Sequence, residues 1–113
     1  MNIKEITPDY SVSAQIQPGD VAELKAAGFK SVICNRPDNE DPGQPSVAEI
    51  RTAVEAAGLE FRHVPVISGQ MTAQNVEDQA EALDALPKPV FAYCRSGTRS
   101  TNLYGYIQEM KRG

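Results

Sequence analysis

The chain has 113 residues, 41% of them hydrophobic and 23% charged, enough for one buried core and too few for two. A net charge of −4 argues against nucleic acid as a default partner, and the apolar runs are too short to span a membrane. The start, Met1 to Asp9, has no signal-peptide apolar segment, so the expected location is the cytoplasm, where two cysteines stay reduced and one of them is free to react.

Tyr10 to Ala14 alternates as a short first strand, which Ile3 to Ile6 can preface. Pro18 and Asp20 open a helix carrying Val21, Leu24 and Ala27, and Gly28 stops it. Lys30 to Cys34 reads as a buried strand. Asn35 to Pro45, with Pro37, Pro42 and Gly43 among acidic residues, reads as loop. Ser46 and Glu49 make a capping box for a second helix, with Val47, Ile50 and Val54 on one face and Gly58 at its end. Leu59 to Val66 is strand again, with Leu59, Phe61 and His63 on one side. Thr72 caps a third helix carrying Val76, Ala80 and Leu83, which ends before Pro87. Val90 to Tyr93 is the next strand, and a last helix starting at Ser100 carries Leu103, Tyr106, Ile107 and Met110. Strands alternating with helices imply a single α/β domain over 1–113. Its three layers are a mostly parallel sheet of four to five strands with helices on both faces. Ligands in such sheets bind beyond the carboxyl ends of the strands, where Cys94 and the loop from Asn35 both fall.

The most informative stretch runs from Cys94 to Ser100, Cys-Arg-Ser-Gly-Thr-Arg-Ser, between a strand and a helix. Backbone N–H groups converging on a helix N-terminus favour a thiolate and bind an oxyanion. Arg99 adds a planar fork for two oxygens of a phosphate or sulfonate. Gly97 permits a turn with positive φ, Ser96 and Thr98 offer hydroxyl donors, and Ser100 can cap the helix or donate to the thiolate. A lone cysteine at a strand end is usually a core residue, and the order of residues after Cys94 is what favours a nucleophile. Arg95 either adds charge at the mouth or points to solvent. Cys34 ends a strand and reads as core, with a role in resolving an oxidised or persulfidated Cys94 as the alternative. His63, the sole histidine, reads as structural rather than as a general base. With one histidine and no Cys-x-x-Cys, no metal site fits the usual patterns; no Gly-rich nucleotide loop calls for a cofactor.

The chain resembles two families at once. Gly28-Phe-Lys-Ser-Val-Ile-Cys-Asn-Arg36, His63-Val-Pro-Val66 and the strand leading into Cys94 are similar to segments of tyrosine and dual-specificity phosphatases. Those enzymes separate the nucleophilic cysteine from its arginine by five residues. Here four intervene, and the loop is close to that of rhodanese-type sulfurtransferases, which carry sulfur as a cysteine persulfide. The combination resembles the phosphatase-like domain family of beta-lactamase hydrolase-like proteins, over Tyr10 to Tyr106. The resemblance implies Cys94 as nucleophile, Arg99 as oxyanion ligand, and a metallo-β-lactamase-like partner associated with sulfide handling.

A phosphatase needs an acid to protonate its leaving group. The resemblance puts that acid in the loop after His63-Val-Pro-Val66, yet Ile67 to Thr72 contains no carboxylate. Gln70 can orient a water there or simply bond within the turn. Asp38, Glu40 and Asp41 lie on another loop, whose plain reading is a solvated acidic segment. Sulfur transfer from thiosulfate or a persulfide needs no acid, because sulfite or a thiolate leaves unprotonated. The sequence therefore leads to a cysteine-dependent sulfurtransferase, with a phosphatase acting on a phosphorylated substrate through a phosphocysteine as the alternative. A non-catalytic oxyanion-binding or redox-sensing module is a third reading.

Overall fold

Val32, Cys34, Phe91 and Tyr93 alternate with Ile33, Val90 and Ala92 along two short strands, and every one of these side chains is buried. Strands apolar on both faces must lie inside a sheet covered on both sides. A computed structural model, which describes residues 1–112, has that arrangement. Strands β1 (Lys4–Thr7), β2 (Tyr10–Ser13), β3 (Ser31–Cys34), β4 (Glu60–His63) and β5 (Val90–Tyr93) form one sheet in the order β1-β2-β5-β3-β4. β1 and β2 are antiparallel, and every other pairing is parallel. Helices α1 (Val21–Ala26) and α2 (Val47–Ala56) cover the face that carries Val32, Cys34, Phe91 and Tyr93. Helices α3 (Ala73–Ala85) and α4 (Thr98–Arg112) cover the face of Ile33, Val90 and Ala92. No helix among the described residues is long and apolar enough to cross a membrane.

The parallel register sets Ser13, Tyr93, Cys34 and His63 side by side at one edge. The segments that follow them, from Ala14, Cys94, Asn35 and Val64, therefore leave the sheet together. Pairing outlasts the strands themselves: the Val64 N–H donates to Cys34 O at 2.9 Å and the Val66 N–H to Asn35 O at 3.0 Å. This holds the loops after β3 and β4 against each other, and Leu59 to Val66 is regular strand only over Glu60–His63.

Capping follows the sequence where side chains supply it. Ser46 and Glu49 exchange hydrogen bonds at the start of α2, and Thr72 does the same with Asn75 at the start of α3. Other expectations shift. Pro18 opens a 3-10 turn (Pro18–Asp20) ahead of α1, and Ala27 is an exposed cap. On α3 the buried positions are Val76, Gln79 and Ala82, with Ala80 and Leu83 half-buried. On α4 Leu103 and Ile107 face the core while Tyr106 and Met110 are exposed, because the apolar stripe is only two residues wide.

Candidate active site

The loop after β5 is bound to the exit of β2, with the Cys94 N–H on Ser13 O at 3.4 Å and the Gln15 N–H on Arg95 O at 3.3 Å. Gly97 then turns the chain with φ at +93°, a conformation that a side chain resists, and its N–H donates to Cys94 Sγ at 3.1 Å. A Cβ at Gly97 would also lie 3.4 Å from the carbonyl carbon and oxygen of Ser13. Thr101 donates its N–H (3.0 Å) and its hydroxyl (2.9 Å) to Gly97 O, so α4 begins at Thr98 and not at Ser100. Ser96 Oγ donates to Thr98 Oγ1 at 3.0 Å and accepts from the Thr98 N–H at 3.4 Å, so Ser96, and not Ser100, meets the first N–H of α4.

Arg99 is nearly enclosed. Its Nη1 and Nη2 donate to Glu40 Oε2 and Oε1 at 2.7 and 2.8 Å, and Nη1 also donates to Val66 O at 2.9 Å. A guanidinium has five N–H donors. These three bonds leave the Nε–H and the second Nη2–H, which share one edge and make a fork of their own. Glu40 in turn accepts from Arg36 Nε at 2.8 Å, while Asp41 accepts from Arg36 Nη2 at 2.6 Å and pairs with Arg95 Nε at 3.2 Å. The segment read as a solvated acidic loop thus meets the Cys94–Arg99 loop through Glu40 and Asp41. Asp38 does not reach it, and caps α2 by accepting from the Val47 N–H at 2.8 Å. Arg99, with Arg36 behind it, holds the Glu40 carboxyl down at about 2, so Glu40 is a fixed anion at neutral pH.

Ser100 faces the core. Its hydroxyl donates to Asn35 Oδ1 at 2.8 Å, and that single proton is therefore not offered to Cys94. Asn35 Nδ2 donates to Val64 O at 3.0 Å and to Gln79 Oε1 at 2.8 Å; Gln79 Nε2 donates to Tyr10 Oη at 3.2 Å; Tyr10 donates to Ser100 O at 2.8 Å. The ring of four side chains is buried and fully partnered, and burial pushes the Tyr10 hydroxyl pKa up, keeping it neutral. It joins β2, the loop after β3, α3 and the first turn of α4. The sequence assigns no site role to Asn35, Gln79 or Tyr10; the available signal was an amide at Gln79 on the apolar stripe of α3.

A cavity of ≈ 660 Å³ opens over this loop, lined by Arg95, Ser96, Thr98, Arg99, Val66 to Gly69, Met71, Asn102 and Tyr106. No Asp, Glu or His among the described residues lines it. Cys94 is 0% exposed and lies beneath the loop, outside the cavity lining. Gln70 is exposed outside the cavity, its N–H bonded to Ile67 O. Cys34 is buried beside Tyr93, donates to Arg36 O at 3.3 Å, and has its thiol pKa pushed up by burial. His63 Nε2 lies 3.0 Å from Arg36 O, a structural contact that supports the loop after β3. Among the described residues no three His, Cys, Asp or Glu side chains group as a metal would need.

Comparison with known proteins gives this geometry its family. A beta-lactamase hydrolase-like protein of Agrobacterium fabrum is 35% identical over 104 residues, 92% of this chain and 24% of that protein. The chain thus spans about a quarter of the length of the curated relatives it matches. A crystal structure from Neisseria meningitidis Z2491, provisionally assigned as a phosphatase, superposes with a TM-score of 0.89 at 35% identity, covering 96% of this chain and 77% of that one. The core catalytic domain of the PP-IP phosphatase Siw14 from S. cerevisiae, at 15% identity, shares the fold with a TM-score of 0.76, covering 100% of this chain and 68% of that one. The family model for the phosphatase-like domain of beta-lactamase hydrolase-like proteins matches residues 2–110, and the chain belongs to that family.

Proposed function

We propose that the chain is a cysteine-dependent phosphatase in which Cys94 is the nucleophile. The observation that carries this reading is the joint geometry of Cys94 and Arg99. The sulfur sits under the Gly97 N–H, and the guanidinium is clamped on one edge with a second edge left for an oxyanion. The Cys94 thiolate attacks phosphorus, an S–P bond forms as the P–O bond breaks, and the leaving group departs with the electron pair. Water then attacks phosphorus, a new P–O bond forms as the S–P bond breaks, the protons of the water stay on the released phosphate, and the Cys94 thiolate is regenerated. The first N–H groups of α4 and the free edge of Arg99 hold the equatorial oxygens as charge develops. Arg95, Ser96 and Thr98 line the mouth through which the substrate enters.

Sulfur transfer remains the second reading on one specific observation: the cavity lining supplies no carboxylate, and sulfite leaves thiosulfate without a proton. The same oxyanion cradle would hold the sulfonate while Cys94 takes the outer sulfur. Intact mass after acid quench separates the two. The phosphatase reading expects a phosphoryl adduct from 4-nitrophenyl phosphate, lost in Cys94→Ser and kept in Cys34→Ser. A sulfur adduct from thiosulfate, removed by cyanide and unaccompanied by a phosphoryl adduct, would replace it. Neither adduct would leave a non-catalytic oxyanion-binding module.

A further inference from the structure

The cavity continues past the anion cradle. Met71 and Tyr106 line it and also line a second hollow between the start of α3 and the outer face of α4, with Val76 and Met110. Among the described residues, three of the four large exposed hydrophobic side chains lie along this path: Ile67 and Tyr106 at the cradle, and Met110 beyond. Large apolar side chains left in water next to an anion site mark the place where the rest of a substrate lies. The charges point the same way. Among the described residues, Arg95 and Arg99 are the only cations that line the cavity, Arg95 is paired with Asp41, and the second hollow is flanked by Glu77 and Glu109 and lined by no cation. A substrate with a second phosphate would meet carboxylates there.

The reaction itself sets a further limit. The cavity lining offers no Asp, Glu or His to protonate a leaving group, and Glu40 is held as an anion on Arg99. A positioned proton donor contributes about 10²–10⁴-fold to reactions that need one. Without it the leaving group must be stable as an anion.

We infer, building on the phosphatase reading, that the site selects phosphate esters of acidic aromatic alcohols. Their leaving group departs unprotonated, and its ring lies against Met71 and Tyr106. The phosphoryl group passes to Cys94 Sγ as the P–O bond to the ring oxygen breaks, and the aryloxide carries the electron pair away.

Steady-state kinetics with 4-nitrophenyl phosphate, phenyl phosphate, acetyl phosphate and pyrophosphate tests this in the wild type and in Tyr106→Ala and Met71→Ala. The value of kcat/KM for 4-nitrophenyl phosphate should exceed that for phenyl phosphate, whose leaving group is about as basic as a tyrosine, by about 100-fold or more. Acetyl phosphate also leaves without a proton but brings no ring. The ratio of kcat/KM for 4-nitrophenyl phosphate over acetyl phosphate should fall about 10-fold in either variant, mainly through KM. Equal rates on the two aryl esters would overturn the inference by revealing a proton donor. So would an unchanged ratio in both variants, or a preference for pyrophosphate. No phosphate release from any of the four, with no phosphoryl adduct on Cys94, would overturn the phosphatase reading itself.

Discussion

Glu40→Gln tests the clamp on Arg99 most directly. The carboxylate bonds both terminal nitrogens of Arg99 and the Nε of Arg36, and the pull of these cations carries its pKa from the ordinary 4.5 to about 2. Taken at face value, this displacement corresponds to about 3 kcal/mol of folding free energy. The Glu40 side chain is 23% exposed, and solvent screening reduces the figure to about 2 kcal/mol. The sign follows from the folded pKa lying below the unfolded one. The contribution is complete above about pH 4.5, falls as pH drops toward 2, and is roughly under half its full size by pH 3. Glutamine fills the same space but carries no charge. Urea denaturation should show the variant less stable by about 2 kcal/mol at pH 7, with a midpoint on heating lower by about 8 °C. The gap between the two proteins should narrow between pH 6 and pH 3. A variant within about 0.5 kcal/mol of wild type at pH 7, or a gap that does not change with pH, would refute the clamp as a source of stability.

Two other substitutions probe the parts that hold the cradle. Gly97→Ala forces a side chain into positive φ, 3.4 Å from the Ser13 carbonyl, and should cost about 1–3 kcal/mol while displacing the N–H that meets Cys94 Sγ. Wild-type stability together with wild-type phosphoryl-adduct formation would show that the turn is not needed. Gln79→Leu conserves bulk but removes the acceptor of one Asn35 N–H and the donor to Tyr10 Oη, at a cost of about 1–3 kcal/mol. Denaturant midpoints equal to wild type would mean that the buried ring contributes nothing.

The architecture was readable because burial demands regular patterns. Ser31–Cys34 and Val90–Tyr93 are apolar at every or nearly every position, and the sheet places them at its centre. The Ser46–Glu49 box and Gly97 at positive φ also follow from local chemistry that acts within a few residues. What could not be read are the partners brought together from afar. Glu40 and Arg99 are 59 residues apart, and Asn35 and Gln79 are 44 apart. Nothing local distinguishes Glu40, which clamps Arg99, from Asp38, which caps a helix that starts nine residues on. Ser100 shows the same limit: its position after Arg99 suggests a donor to the thiolate, and its hydroxyl instead donates to the buried Asn35 amide oxygen at the exit of β3.

Those distant partners also decide what the chemistry can be. A tetrahedral phosphate and a sulfonate present similar oxygens, so the N–H groups after Cys94 and the free edge of Arg99 do not separate phosphoryl transfer from sulfur transfer. The need for a proton does. Two carboxylates stand beside the cradle, and each is bound to guanidinium groups, Glu40 to Arg99 and Arg36, Asp41 to Arg36 and Arg95. Arg99 and Arg36 hold the Glu40 carboxyl well below the ordinary carboxylate range, so Glu40 is an anion at pH 7. Three guanidiniums against two carboxylates leave the cluster one positive charge in excess, which attracts an anion and offers no acid. The clamp that fixes the Arg99 guanidinium is therefore the same feature that withdraws Glu40 from proton transfer. On the proposed phosphatase reading, such a site would bind phosphate esters and turn over those whose leaving groups need no help to depart.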